Sequence, residues 1–134
     1  MIIPPDGSSL TYSGAISDDH EWVVFSSWNS TNTFVYKLEN ETYTLKQIIK
    51  TSSKVRHLAM SPDHLFLILG TIGPLVCVYK HDGIQFNLSP QMLNYFYSSP
   101  KFVSITNDHQ FLTVSEMNSE KVYRYYFNST SDEF

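Results

Sequence analysis

Three histidines each follow an aspartate, at nearly even spacing. The pairs are Asp19-His20, Asp63-His64 and Asp108-His109, so the steps are 44 and then 45 residues. Imidazole beside carboxylate is raw material for a metal site or for acid–base chemistry. A shared ion would need the three rings to converge within bonds of ~2.1 Å. An even, long spacing argues against that, because a repeat sets equivalent residues on successive units rather than around one point. Each histidine is therefore read as a turn residue whose ring packs on a neighbour. Neighbouring carboxylates such as Asp18-Asp19 point apart in a turn, whereas acid–base pairs must converge on a substrate. His57 and His81 have no partner at a telling spacing. Ser26-Ser27 and Ser52-Ser53 lack an evident base, and neither a G-x-S-x-G elbow nor a glycine-rich phosphate loop is present. The single cysteine, Cys77, lies in the apolar run Leu75-Val76-Cys77-Val78-Tyr79 with no basic residue beside it. It reads as a buried thiol behaving as a small hydrophobe. No catalytic residue, metal ligand or cofactor site is assigned, and the chain is read as not an enzyme.

The elements that would carry these residues are strands. The 134 residues include nine Tyr, nine Phe and two Trp, but only two alanines, Ala15 and Ala59. Aromatic and β-branched residues suit half-buried pleated strands, and Ala is the best helix former. A hydrophobic fraction of 42% with 16% charged residues excludes a disordered chain. Nine basic residues against thirteen acidic ones give a net charge of −4. The nearest approach to a basic cluster, Lys46, Lys50, Lys54 and Arg56, is split between two predicted strands. Edge lysines of that kind block unwanted strand pairing, so no nucleic-acid partner is expected. No apolar stretch approaches the ~20 residues of a membrane helix. Nothing at the start directs export, which favours the cytoplasm.

The repeat extends well beyond the Asp-His pairs. Ile16 to Ser26, Met60 to Gly70 and Ile105 to Ser115 read alike: an apolar strand, the turn, then a second apolar strand. Downstream, Phe34-Val35-Tyr36-Lys37, Val76-Cys77-Val78-Tyr79-Lys80 and Lys121-Val122-Tyr123-Arg124 read as third strands, the Tyr falling 16, 15 and 14 residues after the histidine. This equates Tyr36, Tyr79 and Tyr123, and likewise Trp22, Phe66 and Phe111. A fourth, more polar strand follows, about Tyr43 to Ile49 in the first unit, with Tyr43, Leu45, Gln47 and Ile49 on one face. In the second unit Asp82-Gly83 signals a hairpin, while Ser89-Pro90 predicts a short helical insertion up to Tyr97. Residues 128–134 look too polar and short for a fourth strand in the third unit. Met1-Ile2-Ile3 looks like the stub of a preceding outer strand.

Four-stranded units of this period suggest a β-propeller. The segment Ala59-Met60-Ser61-Pro62-Asp63-His64-Leu65-Phe66-Leu67 resembles the S-P-D-G-x-x-L turn of WD40-like and lactonase-like blades, with His64 where those blades usually carry Gly. The resemblance covers about residues 10–127. Neither the Gly-His pair nor the closing Trp-Asp of a regular WD40 repeat is present; Tyr36-Lys37 and Tyr79-Lys80 stand instead. The fold class expected is therefore all-β: a single partial propeller over 1–134, with blades at about 10–50, 54–97 and 101–134. The resemblance implies a non-catalytic scaffold for protein partners. The alternatives are a fragment of a lactonase-like propeller hydrolase and a secreted, glycosylated binding module. The last would use the sequons at Asn29, Asn40, Asn87 and Asn128.

Propellers close with four to eight blades. Three open blades leave faces and edges uncovered, so the remaining blades of a longer propeller, or a second copy of the chain, are expected to complete the ring. An isolated monomer would be unstable or oligomeric. Loop aromatics are the candidate partner contacts: Trp28, and Tyr95, Phe96 and Tyr97 of the insertion.

Overall fold

The computed structural model describes Pro5, Gly7 and residues 11–93, 96 and 98–134. Every regular element among them is a strand. The first sheet runs β1 (Thr11–Ile16), β2 (Trp22–Ser27), β3 (Asn32–Glu39) and β4 (Thr42–Lys50), in that order. The second repeats the order with β5 (Val55–Met60), β6 (Phe66–Thr71), β7 (Val76–Lys80) and β8 (Gln91–Leu93). The third has β9 (Pro100–Ile105), β10 (Phe111–Glu116) and β11 (Val122–Tyr126), with β10 in the middle. All neighbouring strands are antiparallel.

The sheets pack face to face, and that packing explains the sequence. Strand β6 is buried at every position. A strand covered on both faces has no solvent side, so Phe66-Leu67-Ile68-Leu69 reads as an unbroken apolar run rather than an alternation. Its odd and even residues serve different neighbours. Leu67 and Leu69 share a core with Trp22 and Val24 of the first sheet. Phe66 and Ile68 share another with Val103, Leu112 and Val114 of the third. A smaller cluster of Phe25, Phe34 and Tyr36 lies on the far face of the first sheet. Gly70 marks a close approach of the second sheet to the third. A Cβ there would stand 3.1 Å from Pro100 Cβ and 3.3 Å from Val103 Cγ1.

Three expectations are corrected. First, Ser89-Pro90 does not open a helix. The described part of that segment is β8, paired to Val76, Cys77 and Val78, with Leu93 buried. A proline lacking its N–H also fits the entry to an edge strand, and here sheet pairing and Leu93 burial override the helical signal. Second, Tyr43 and Leu45 do not share a face with Gln47 and Ile49. The register shifts between Val35 and Tyr36, placing Val35 opposite Gln47 but Tyr36 opposite Leu45. A bulge of one residue inverts every side chain beyond it. Third, the third-unit counterpart of Tyr36 and Tyr79 is Tyr125, not Tyr123. Tyr36 pairs with Val23, Tyr79 with Leu67, and Tyr125 with Leu112, the equivalent central-strand position. The slip is two residues, which preserves the face, so both tyrosines pack against the second sheet.

Candidate interaction site

The three Asp-His turns are built alike. Ser17 hydrogen-bonds the Asp19 carboxylate, accepts from Trp22 N at 3.0 Å, and Asp19 Oδ1 accepts from Glu21 N at 2.9 Å. In the second turn Ser61 donates to Asp63 Oδ1 at 2.8 Å, Leu65 N to Asp63 Oδ1 at 3.2 Å and Phe66 N to Ser61 Oγ at 2.9 Å. In the third, Thr106 donates to Asp108 Oδ1 at 2.6 Å, Gln110 N to Asp108 Oδ1 at 3.1 Å and Phe111 N to Thr106 Oγ1 at 3.1 Å. Hydrogen bonds from Ser17 and Glu21 N hold Asp19 below the ordinary carboxylate range, and those from Thr106 and Gln110 N do the same for Asp108. Burial pushes Asp63 up, but Ser61, Leu65 N and His109 outweigh it and leave it lowered. All three carboxylates are thus ionised at neutral pH. Each histidine takes a left-handed backbone, with φ of 59° at His20, 55° at His64 and 58° at His109. That conformation costs a non-glycine residue about 1–2 kcal/mol.

The histidines repay the strain across the sheet boundary. His109 Nε2 lies 3.0 Å from Asp63 Oδ1, and its ring stands edge-on to Phe66 at 5.2 Å. His64 sits over Trp22 at 5.4 Å, with Nδ1 3.9 Å from Asp19 Oδ2, too far for a hydrogen bond. His64 and His109 thus each serve the aspartate and aromatic of the preceding sheet. His20 makes no such ring contact among the described residues. Replacing His20 by Gly should therefore relieve strain and raise stability by about 0.5–1 kcal/mol, whereas His109→Gly should lower it. Paired urea titrations check this; gains of similar size in both variants would show that the ring contacts contribute nothing.

Two further ties repeat. On the inner strands Leu58 N donates to Ser13 Oγ at 3.1 Å, and Val103 N to His57 Nδ1 at 3.3 Å. Burial lowers the His57 pKa, which keeps the ring neutral and Nδ1 an acceptor. On the outer strands the Gln47 amide grips the Phe86 main chain, Nε2 to O at 2.8 Å and N to Oε1 at 2.9 Å. Gln91 grips Phe134 in the same way, at 2.5 and 2.9 Å. Around these ties two four-ring clusters correspond. Trp22 meets His64 and His81, and His81 meets Phe86; Phe66 meets His109 and Phe127, and Phe127 meets Phe134.

The candidate contacts separate. Trp28, in the β2–β3 turn, is 40% exposed and packs at 4.6 Å, tilted by 54°, against Tyr12, itself 42% exposed. Phe96 is buried between the second and third sheets, its ring 5.2 Å from Tyr123. It is a packing residue and leaves the set of surface contacts. Tyr95 and Tyr97 lie outside the described residues. Of the sequon asparagines, Asn29, Asn40 and Asn128 are exposed. Asn87 is half-buried with its amide engaged, accepting from Lys80 N at 3.0 Å and donating to Ser89 O at 3.1 Å. Burial pushes the Cys77 thiol up to about 11 and the neighbouring Tyr79 hydroxyl to about 12. Among the described residues no three His, Cys, Asp or Glu side chains group as metal ligands. Among those residues, too, no helix is long and apolar enough to cross a membrane.

No protein-family model and no curated protein matches the sequence. A solved structure does: that of U3-55K, a WD40 propeller protein, matches with a TM-score of 0.72 at 12% identity. The three sheets are β-propeller blades. The match covers 92% of this chain and 37% of that one, so the chain spans little more than a third of its neighbour's length. It supports the propeller architecture and gives no support to the lactonase-like type. Sequence reasoning missed the blade-to-blade grip of Gln47 and Gln91. The signal was there, since the two glutamines are 44 residues apart, the period of the blades.

Proposed function

We propose that the chain is a non-catalytic propeller scaffold, part of a larger ring or assembly, that binds protein partners. The observation that carries this reading is the Trp28–Tyr12 pair, large exposed aromatics on a turn and edge of a frame whose blades are tied together the same way twice. Rigid frames present binding loops, and exposed Trp and Tyr are favoured anchors. The far face of the first blade supports the ring. It keeps apolar residues where the second and third blades receive their predecessors, and a groove of about 370 Å³ opens beside Gly14, Ile16, Val23 and Phe25. Further blades or a second copy would cover it.

Affinity capture with the wild-type chain and with Trp28→Ala tests the reading. The variant should keep its stability within about 0.5 kcal/mol, as surface substitutions do, yet lose a partner that the wild type retains. A large loss of stability, an unchanged capture set, or turnover of an ester substrate would overturn it.

A further inference from the structure

The two blade junctions differ in what reaches a lysine that they share. Lys37 pairs across the sheet with Trp22, and Lys80 pairs with Phe66, so the two lysines hold equivalent positions. At the junction of the second and third blades Lys80 is ion-paired to Asp132. Asp132 belongs to the segment that runs to Phe134, whose main chain Gln91 grips and whose ring meets Phe66. A carboxylate from the third blade thus sits on the lysine of the second.

At the junction of the first and second blades the matching segment brings no such carboxylate. Six residues separate Phe127 from Phe134, but only four separate His81 from Phe86. Asp82, in this shorter loop, accepts from Ile84 N at 2.8 Å and from Gln85 N at 2.9 Å, which turns its carboxylate into its own loop. Among the described residues Lys37 forms no ion pair. Its ammonium lies 5.2 Å over the Trp22 ring. A groove of about 260 Å³ opens beside it, lined by Trp22, Lys37, Glu39, Lys46, Gly83 and Ile84. Glu39 is bonded to Lys46 at 2.6 Å and accepts from Thr44 Oγ1 at 2.7 Å. Two lysines against one glutamate leave the groove one net positive charge. Ile84, 81% exposed, gives it an apolar side. Both walls are blades that this chain itself supplies.

We propose that this groove receives an acidic side chain of a partner polypeptide, its carboxylate seated on Lys37 as Asp132 is seated on Lys80. The second junction supplies the chemistry of the occupant, an Asp-Glu-Phe stretch at residues 132–134: carboxylates for the lysines, then an apolar side chain to lie along Ile84. A bond between ammonium and carboxylate is about twice as strong as one between neutral groups. The Trp22 ring holds the ammonium in place and keeps water from one side of the pair. This deepens the scaffold reading and rests on its blade frame, but it is independent of Trp28.

Two fluorescein-labelled, amidated hexapeptides, Gly-Ser-Asp-Glu-Phe-Gly and Gly-Ser-Asn-Gln-Phe-Gly, are titrated with the chain and followed by anisotropy. The acidic peptide should bind about tenfold more tightly. Lys37→Gln should abolish that preference, Lys37→Arg should keep it, and Trp28→Ala should leave it intact. Equal binding of the two peptides, a preference surviving in Lys37→Gln, or no binding of either overturns the proposal. If circular dichroism shows Lys37→Gln unfolded, the Trp22 indole N–H resonance of the wild-type chain decides. It must move with the acidic peptide and stay still with the amide peptide, and any other pattern overturns the proposal. Trp28→Ala losing its captured partner while both peptides fail would leave the scaffold reading standing alone.

Discussion

Replacing Phe66 by Ala should lower the free energy of unfolding by about 3–5 kcal/mol, the range for deleting a large aromatic from a core. Phe66 is 5% exposed and sits at the centre of the second four-ring cluster, 5.2 Å from His109 and 5.5 Å from both Phe127 and Phe134. Edge-on aromatic pairs add about 0.5–1.5 kcal/mol beyond the area they bury. The three rings around the cavity all belong to the third blade, whose main-chain pairing fixes them, so they cannot collapse inward to fill it. The loss also removes the surface that holds the His109 ring beside Asp63. Phe111 stands at the equivalent position of the third blade but on its open face, against its own Tyr126 and Arg124. Phe111→Ala should cost less than about 1.5 kcal/mol, because no neighbouring blade closes over the site. Urea titrations of the two variants make the comparison. Equal losses would mean that the blade-to-blade cluster is not what holds the second blade to the third.

Gln47→Leu should destabilise by about 2–4 kcal/mol, although it replaces one amide by an apolar group of nearly the same shape. The reason lies in Phe86, which is fully buried and gives both its N–H and its C=O to the Gln47 side chain. Leucine leaves both groups desolvated and unpaired, at about 1–3 kcal/mol each, partly recovered by local shifts. Gln47→Glu separates lost hydrogen bonds from lost volume. An ionised Glu there can accept from Phe86 N but cannot donate to its oxygen. Burial raises its pKa, so stability is fullest below the unfolded-state value and is lost as pH rises through the folded one. A Gln47→Glu variant whose stability is flat across that window would show that the Phe86 main chain finds other partners. Amide hydrogen exchange at Phe86 offers a direct check, since it should accelerate in the Leu variant relative to Val35.

Much of this fold is written in the sequence, because blades repeat and strands alternate. Trp22, Phe66 and Phe111 fall on equivalent positions, and the Asp-His turns mark where each second strand begins. The errors have physical causes. By its neighbours Val122 and Arg124, Tyr123 matches Tyr36 and Tyr79, but a two-residue slip leaves a strand's faces unchanged, and only hydrogen-bond register tells Tyr123 from Tyr125. The bulge opposite Val35 is invisible for a similar reason, since Tyr43, Leu45, Gln47 and Ile49 alternate without interruption. Ser89-Pro90 is a sound helix start taken alone, but three residues of pairing to β7 and the burial of Leu93 decide otherwise. The sites were less legible. Trp28 could be placed in a turn, whereas Phe96 had an equally aromatic neighbourhood and proved to be core. Gln47 and Gln91 carry no motif, and their meaning appears only when equivalent positions of successive blades are laid over one another.

Neighbouring blades are joined at three stations that do not lie on one line: Ser13 or His57 on the inner strand, the Asp-His turn, and Gln47 or Gln91 on the outer strand. One tie would leave a hinge and two an axis of rotation, but three remove both. The distance between a point on the first blade, such as Trp28, and one on the third, such as Phe102, is then fixed rather than averaged over a swinging linker. A partner that spans both would find its second contact already in place after making the first, at an effective concentration set by geometry alone. A partner of the wrong span would gain nothing from having both motifs. On the scaffold reading proposed above, the frame would act as a ruler, choosing among ligands by the separation of their contact points.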